Sequence, residues 1–270
     1  MRHSANRYED IFDSIVLAES FKDYFKENVY TDLLIFERDI ANIATLVIII
    51  LESPGALVEL GMFCNKTDLY NKLIIVANHK HTENEDSFIY LGPLEYIRKK
   101  DPTSVAEYPW DDKVQKSDFH SLEDLCLVIN DKVESYPSSE KFKYDNSGHI
   151  SFLIAEIITL CYPILIGEIE LIFMALEIEV SLSQIKRSLY LLSKISVINS
   201  RKYGTSYKFY YPLLKDKKTV RYGATKSGKK ADSLTLRMAI IQSFISQTDQ
   251  LSERRANVLK LINSSLVEAL

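Results

Sequence analysis

The pattern of apolar and polar positions predicts two structurally different parts of the chain. In the first part, the apolar runs 46–51 and 73–76 have the length of strands and are rich in β-branched residues. The segments 31–41 and 117–134 instead repeat apolar residues at helical spacing. Uninterrupted apolar strands are typical of a parallel sheet covered by helices. We therefore predict an α/β fold with a parallel sheet, in which the strand at 45–51 is buried on both faces.

The second part begins after a polar, turn-rich stretch at 135–148, where we place a linker at 137–148. Three helical segments follow, and then two strands joined by a basic turn, a layout typical of a winged helix. The segments are 150–161, 167–176, a third helix that Ser181 or Ser183 caps and that runs to about Lys194, and the hairpin 197–213. The predicted domains are thus 1–136, which is α/β, and 149–270, which is mainly α and includes two further helices at its end.

Basic residues accompany the third helix and the hairpin of the predicted winged helix. Lys186 and Arg187 would face outward from the recognition helix, and Arg201, Lys202 and Lys208 would meet phosphates. Winged helices also serve as protein-docking modules, and both interpretations stay open. The C-terminal helices at 233–246 and 252–270 are amphipathic and suited to packing between subunits, so a homo-oligomer is also open.

Composition excludes several classes of protein. The 270 residues, 46% of them hydrophobic, can form a substantial core, and the net charge of −4 does not indicate nucleic-acid binding by the whole surface. Three scattered cysteines and a polar N-terminus are typical of a reduced, cytoplasmic protein without a signal peptide. Acidic residues interrupt the apolar stretch 150–180, so we expect no membrane span there. We predict no cofactor and no metal, and we expect His79 and His81 to be surface residues.

The stretch 45–61 is the part of the chain that looks suited to chemistry. Its strand stops at Glu52, Ser53 is a good helix N-cap, and Pro54 fits the first helical position. Gly55 would let a ligand approach the backbone closely. Ligands of open α/β sheets bind beyond the carboxyl ends of the strands, and a helix start favours phosphate. Glu59 lies roughly one turn inside the predicted helix.

Two glutamates flank this turn and suggest glycosidic chemistry. A Glu59 carboxylate beside a sugar C1′ can act as a nucleophile, or it can stabilise an oxocarbenium-like transition state. Glu52 could orient it or bind ribose hydroxyls, while Ser53 and the Gly55 N–H could hold a phosphate. The alternative is an ordinary strand-to-helix turn with Glu59 facing solvent.

Residues 52–61 read Glu-Ser-Pro-Gly-Ala-Leu-Val-Glu-Leu-Gly. This resembles the Glu-Ser-Pro-Gly-Ser-x-x-Glu-Leu-Gly signature of nucleoside deoxyribosyltransferase-like domains in retron effector proteins. Flanking stretches resemble the same family in the same order. They are Tyr8–Phe12, Asn71–Ile74 and Ser87–Pro93, the last followed by the basic pair Arg98 and Lys99. The family's order of a glycosyltransferase-like domain followed by a winged helix covers most of this chain.

The resemblance implies an N-glycosidase toxin of an antiphage retron, with Glu59 as the residue that cleaves the glycosidic bond. Tyr8 and Asp10 would belong to its substrate site. The implied substrate is a nucleotide such as NAD+. The implied partners are the retron reverse transcriptase and its multicopy single-stranded DNA (msDNA), which hold the toxin inactive until phage infection.

One departure from the family concerns the N-terminus. The family has a strand and a glycine-rich turn upstream of the stretch that Tyr8–Phe12 resembles, whereas Met1 lies almost at that stretch here. We therefore expect the first βα unit to be absent and about three strands to be recognisable. Two other functions stay open: a non-catalytic, nucleotide-sensing winged-helix regulator that binds DNA, and an interaction protein that docks on a reverse transcriptase.

Overall fold

The computed structural model describes residues 10–24, 29–67, 69–82, 88, 90–110, 121–213, 220–224, 228, 232–246 and 249–267. Within these ranges the chain forms two compact units. The N-terminal unit contains 44–140 and the described residues up to Val16, and the C-terminal unit contains 17–43 and the described residues from Lys141 onward.

The helices and strands follow one another as two groups. The helices are α1 (Leu33–Ile43), α2 (Pro54–Phe63), α3 (His79–Thr82), α4 (Glu95–Lys100), α5 (Leu122–Glu134), α6 (Ser147–Cys161), α7 (Ile166–Ala175), α8 (Leu182–Lys194), α9 (Ser233–Ile245) and α10 (Gln250–Val267). The strands are β1 (Val47–Ile50), β2 (Leu73–Asn78), β3 (Val105–Tyr108), β4 (Ile164–Leu165), β5 (Ile198–Tyr203) and β6 (Tyr207–Pro212). Residues 10–14 are also helical, Ala18–Tyr24 is 3₁₀-helical, and a π-helical turn at Tyr90–Leu94 leads into α4.

A parallel sheet in the order β1-β2-β3 forms the centre of the N-terminal unit. This confirms the predicted parallel sheet and the mixed α/β class. Ile50 pairs with Val76, and Val76 pairs with Ala106, so the carboxyl ends of the strands lie at one edge. Helix α2 connects β1 to β2, as parallel pairing requires a crossover.

The expectation that the first strand is buried on both faces is wrong. Among the residues of β1 only Ile49 is buried, and Ile50 is 45% exposed. The reason is the strand order: in the described part of the chain β1 is an edge strand, whereas β2 has a neighbour on each side. All six residues of β2 are buried, so β2 has the burial that was expected of β1.

The C-terminal unit has the predicted order of three helices followed by a hairpin. Helices α6, α7 and α8 share an apolar core, and the antiparallel pair β5–β6 is extended by β4. The core contains Ile154, Ile158, Ile169, Ile185 and Leu192, which are all fully buried. Helix α6 begins at Ser147, with Asn146 as its N-cap, so the last two residues of the predicted linker are helical. The assignment as a winged helix stays a prediction.

Helix α1 belongs to the C-terminal unit, which differs from the single boundary predicted at 137–148. The physical reason is that α1 and the residues just before it pack against α6 and α8. Phe36 and Tyr30 form an aromatic cluster with Tyr190 of α8. The side-chain amide of Asn42 donates to the Ser147 hydroxyl of α6 at 3.0 Å, and both residues are buried.

The last two helices pack within the chain. Val258 and Ile262 of α10 lie against Phe209 and Tyr211 of the hairpin. Buried Arg255 donates to the carboxylate of Glu168. Helix α9 still presents exposed apolar side chains, namely Leu234, Met238, Ile241 and Ile245. The predicted homo-oligomer stays a prediction. None of the helices in the described ranges has both the length and the apolar composition needed to cross a bilayer.

Candidate functional site

The candidate site begins where β1 ends and the chain turns into α2. After Ile50, the Leu51 N–H still bonds to the carbonyl of Val76 at 2.9 Å. The Glu52 N–H then bonds back to the Ile50 carbonyl at 2.9 Å, which closes a tight turn. Glu52 is therefore exposed at the carboxyl edge of the sheet, where ligands of open α/β folds bind.

Ser53 caps α2 as the sequence predicts. Its backbone is extended, with φ −144° and ψ 158°, and its Oγ accepts the Ala56 N–H at 3.2 Å. Pro54 occupies the first helical position, where it has no N–H to satisfy. The Ser53 hydroxyl hydrogen can still be donated, so the capping contact leaves it able to contact a ligand oxygen.

The first turn of α2 offers one backbone amide to a ligand. Pro54 has none, Ala56 donates to Ser53 Oγ, and Leu57 donates to the Ser53 carbonyl at 3.3 Å. This leaves the Gly55 N–H, and Gly55 is exposed. A Cβ added at Gly55 would meet only Ser53 Oγ, at 3.7 Å, an ordinary contact. The fold itself therefore does not require glycine here, and the open space suits the close approach of a phosphate.

Glu59 is half-buried in the middle of α2. The helix buries Ala56, Leu60 and Phe63, and Glu59 stands at the edge of that stripe. Ala56 and Phe63, three residues before it and four after it, are its neighbours along the helix surface. The residue is therefore neither fully exposed nor fully buried. The catalytic role of Glu59 and the alternative of an ordinary solvent-facing helical residue both stay open.

The strand register brings polar residues of two strands to one level. Asn78 pairs with Tyr108 at the carboxyl ends of β2 and β3, in strands about 4.8 Å apart, and Glu52 lies in the turn two residues after Ile50, the last paired residue of β1. Asn78 is buried and donates to the Trp110 carbonyl at 2.9 Å. The Tyr108 hydroxyl donates to Asp124 at 2.7 Å, and burial followed by this carboxylate raises the Tyr108 pKa.

A second carboxylate at this edge, that of Glu107, was not predicted from the sequence. Glu107, near the end of β3, accepts a hydrogen bond from Arg98 and another from Thr82 Oγ1 at 2.7 Å. Burial alone would raise the pKa of Glu107, but the Thr82 hydrogen bond and the Arg98 charge hold that pKa below its usual value. His79 Nδ1 lies 3.8 Å from the same carboxylate. These groups come from three separate segments of the chain, so no local sequence motif indicates that they lie together.

Two predicted site residues of the N-terminal unit lie upstream of the sheet in the sequence. Asp10 is exposed at the start of the short helix 10–14, and Tyr8 falls outside the described residues. A separate cleft lies at the far end of α2, about 15 Å along the helix axis from Ser53. It is lined by Cys64, Tyr96 and Lys99, among others. The described residues contain no group of histidines, cysteines or carboxylates that could hold a metal ion.

Arg187 of α8 has an intramolecular partner. Its Nε lies 2.8 Å from Oδ2 of Asp39, and the two side chains are 16% and 5% exposed. Its guanidinium also lies over the ring of Tyr30, 5.8 Å from the centroid. The expectation that Arg187 faces outward is therefore wrong, because the segment around α1 covers it. Lys186, the residue before it, is exposed.

The three predicted hairpin contacts divide between its two faces. Arg201 pairs with Phe209, on the face that α10 covers, and an Arg201 guanidinium nitrogen lies 3.4 Å from the Leu261 carbonyl. Lys202 pairs directly with Lys208, so both lie on the other face, and both are exposed. The structure thus brings Lys202 and Lys208 together and separates them from Arg201.

Comparisons with known proteins identify a matching family and two curated relatives. Residues 1–200 match the model of the family described as STM3845 retron effector protein. A curated Escherichia coli relative, named "Retron Ec73 putative ribosyltransferase/DNA-binding protein", is 32% identical over 161 residues, which cover 53% of this chain and 49% of that protein. A second, named "Retron Ec86 putative ribosyltransferase/DNA-binding protein", is 33% identical over 97 residues, or 36% of this chain and 28% of that protein. The chain thus spans half or less of the length of these relatives.

Proposed function

Because the chain belongs to the STM3845 retron effector family, we propose that it is a retron toxin that cleaves the N-glycosidic bond of a nucleotide. The names of its relatives join ribosyl transfer to DNA binding. We assign the first activity to the N-terminal unit, as a nucleoside deoxyribosyltransferase-like domain. We assign the second to the C-terminal unit, as a winged helix. NAD+ is the substrate that we would test first.

The observation that supports this proposal is the position of Glu59. Glu59 is a half-buried residue beside the apolar residues of α2, the helix that starts at the carboxyl edge of the sheet. A partly desolvated carboxylate stabilises a nearby positive charge more strongly than one in bulk water does. An oxocarbenium-like sugar develops such a charge at C1′.

The proposed reaction breaks the bond between C1′ and the base nitrogen. The electron pair of that bond leaves with the base, which for NAD+ gives neutral nicotinamide. Glu59 stabilises the positive sugar or attacks C1′, and water supplies the hydroxyl group and releases one proton. The protein needs no metal or redox group for this step.

The other residues of the turn would position the substrate. Ser53 and the Gly55 N–H would hold a phosphate at the start of α2, because this end of a helix attracts anions. Glu52, exposed at the same turn, would bind ribose hydroxyls. By resemblance to the family, Tyr8 and Asp10 would complete the substrate site.

The C-terminal unit would connect this activity to its control. Lys186, Lys202 and Lys208 are exposed and would contact phosphates, whereas Arg187 and Arg201 serve contacts within the chain. The retron reverse transcriptase and its msDNA are the proposed partners, and their complex would keep the toxin inactive. Infection by phage would release it.

The test of catalysis compares the wild type with Glu59→Gln, which keeps the size of the side chain and removes its charge. We expect nicotinamide release from NAD+ to fall by at least about 100-fold. Parallel assays on nucleoside monophosphates and nucleosides identify the substrate class by release of the free base. Adding the reverse transcriptase–msDNA complex should suppress turnover by the wild type.

Glu123→Gln is the matched control, since Glu123 is an exposed helical glutamate in the same unit. It should retain full activity. Equal rates for wild type and Glu59→Gln on every substrate would remove the enzymatic proposal.

A second candidate function is a nucleotide sensor without turnover, attached to a DNA-binding module. The Gly55 amide and the Ser53 hydroxyl can bind a phosphate without any contribution from Glu59. In that case nucleotide binding is measurable by calorimetry, no base is released, and Glu59→Gln leaves the affinity unchanged.

A further inference from the structure

Excess positive charge extends over 180–230, which contain 13 lysines or arginines and one aspartate. Residues 180–214 contain six lysines or arginines and no aspartate or glutamate. The chain as a whole has a net charge of −4, so the rest of it carries −10. A basic stretch in an acidic protein is the electrostatic footprint of a polyanionic partner such as nucleic acid. The first part of the basic stretch, 180–214, contains α8 and the β5–β6 hairpin.

Helix α8 is covered on two opposite sides. Ile185, Leu189 and Leu192 lie in the core that α8 shares with α6 and α7. Tyr190 and Leu191 pack in a cluster with Phe21, Tyr30 and Phe36 from the segment around α1. With 3.6 residues per turn, Arg187 lies about 160° around the helix from Ile185, so the second contact covers the side opposite the core.

The contacts on this second side are buried and specific. Arg187 is bound to Asp39, which is 4% exposed, and the Tyr190 hydroxyl donates to the Phe21 carbonyl at 3.2 Å. A helix with its side chains is about 10–12 Å across, and the DNA major groove is about 12 Å wide. The groove therefore has no room for the part of α8 from Arg187 onward together with the segment that lies on it, whereas the first turn of α8 is exposed.

Residues directly opposite in an antiparallel pair share a face, and the Arg201–Phe209 face of the hairpin is covered by α10. The other face of the hairpin is exposed only near its turn, because Ile198 and Tyr210 on that face are buried in the core of α6, α7 and α8. Lys202 and Lys208 are opposite each other on this face and are exposed. We call this pair the lysine face. Like charges directly opposite destabilise a strand pair, and an anion bound between them removes that repulsion.

We propose that the C-terminal unit binds nucleic acid through phosphates at the lysine face, with α8 from Arg187 onward remaining outside the groove, so that affinity does not depend on sequence. Phosphate contacts fix a protein on a nucleic acid without reading its bases. The proposal rests on the nucleic-acid binding in the proposed function and specifies how that binding occurs.

The test measures binding of the full chain to two unrelated duplexes of equal length, and to one single strand, over a range of salt concentrations. Wild type should bind both duplexes with equal affinity, within about threefold. In the variant Lys202→Gln/Lys208→Gln, the slope of log K against log salt should fall by about 1.8 on duplex and about 1.4 on single strand, from two lost phosphate contacts. The control Lys141→Gln/Lys143→Gln removes the same charge from exposed positions of the same unit and should keep the wild-type slope.

Hydrogen exchange provides a second measurement that needs no variant. The amides of 29–43 and 187–192 should exchange equally with and without duplex, because the covered side of α8 stays covered. Faster exchange there on binding would overturn the proposal, as would a tenfold sequence preference or an unchanged salt slope in the Lys202/Lys208 variant. A wild type that binds none of the three nucleic acids overturns both this proposal and the nucleic-acid half of the proposed function.

Discussion

The Nε atom of Arg187 lies 2.8 Å from the Oδ2 atom of Asp39, although 148 positions of sequence separate them. This ion pair binds α1 to α8 inside the C-terminal unit. The chain then leaves α1 at Ile43 and enters β1 at Val47, with only three residues between them. Helix α1, which packs in the C-terminal unit, is thus joined by a short connection to β1, the strand that ends at the candidate catalytic turn.

The ion pair should contribute strongly to the stability of the C-terminal unit. Asp39→Ala and Arg187→Ala should each lower the free energy of unfolding by about 3 kcal/mol, because each leaves a buried charge without its counterion. Urea denaturation measures the change. Lys186→Ala is the control: Lys186 is exposed on the same helix and its loss should cost less than about 0.5 kcal/mol. If Arg187→Ala and Lys186→Ala lower the free energy of unfolding by the same amount, the Asp39–Arg187 ion pair does not stabilise the C-terminal unit.

Features set by neighbouring residues could be predicted from the sequence. The Ser53 cap and Pro54 follow from local backbone chemistry, and both are confirmed. The buried strand β2 follows from its apolar run, and the order of three helices and a hairpin follows from the change in periodicity.

Features that depend on distant partners could not be predicted in this way. The sequence around Asp39 does not indicate that its partner is Arg187, nor that β1 is an edge strand with Ile50 exposed. Glu107 receives its partners from two other segments. The alternation of a strand could have separated Arg201 from Lys202, since adjacent residues point to opposite faces.

Gly148 should be intolerant of any side chain. An added Cβ would lie 2.2 Å from the Asn42 carbonyl oxygen, a backbone atom that cannot move away cheaply. We expect Gly148→Ala to lower the free energy of unfolding by about 2–3 kcal/mol, since α1 and α6 must separate. Gly167→Ala is the matched control in α7, where an added Cβ meets nothing within 4 Å. That substitution should stabilise the protein by about 0.5–1 kcal/mol, because alanine favours helix over glycine.

Glu107 should give the N-terminal unit an acid-sensitive contribution to stability. The folded-state pKa of Glu107 is below 4.5, so its contribution is complete above that pH and is lost as the pH falls through the folded-state pKa. Glu107→Gln should therefore be less stable than wild type at pH 7, by about 1 kcal/mol for this partly exposed group. The difference should shrink between pH 5 and pH 3 in urea denaturation. If the difference in stability between Glu107→Gln and wild type stayed constant from pH 5 to pH 3, the ionised Glu107 carboxylate would not be the source of the stabilisation.

Ser53 should have separable structural and binding roles. Ser53→Ala removes the acceptor of the Ala56 N–H and should cost about 1 kcal/mol of stability, whereas Ser53→Asp keeps an N-cap acceptor and should preserve it. If the start of α2 holds a substrate phosphate, the aspartate should repel it, since a like charge within about 4 Å costs on the order of 1 kcal/mol or more.

We therefore expect Ser53→Asp to bind AMP about tenfold more weakly than wild type while binding adenosine, which has no phosphate, equally well. Calorimetry with the two ligands measures this difference, and urea denaturation confirms that the variant is folded. Equal weakening towards both ligands would mean that the substitution disturbs the site generally. Unchanged affinity for AMP would mean that the phosphate lies elsewhere, and Gly55 would then have no role in holding it.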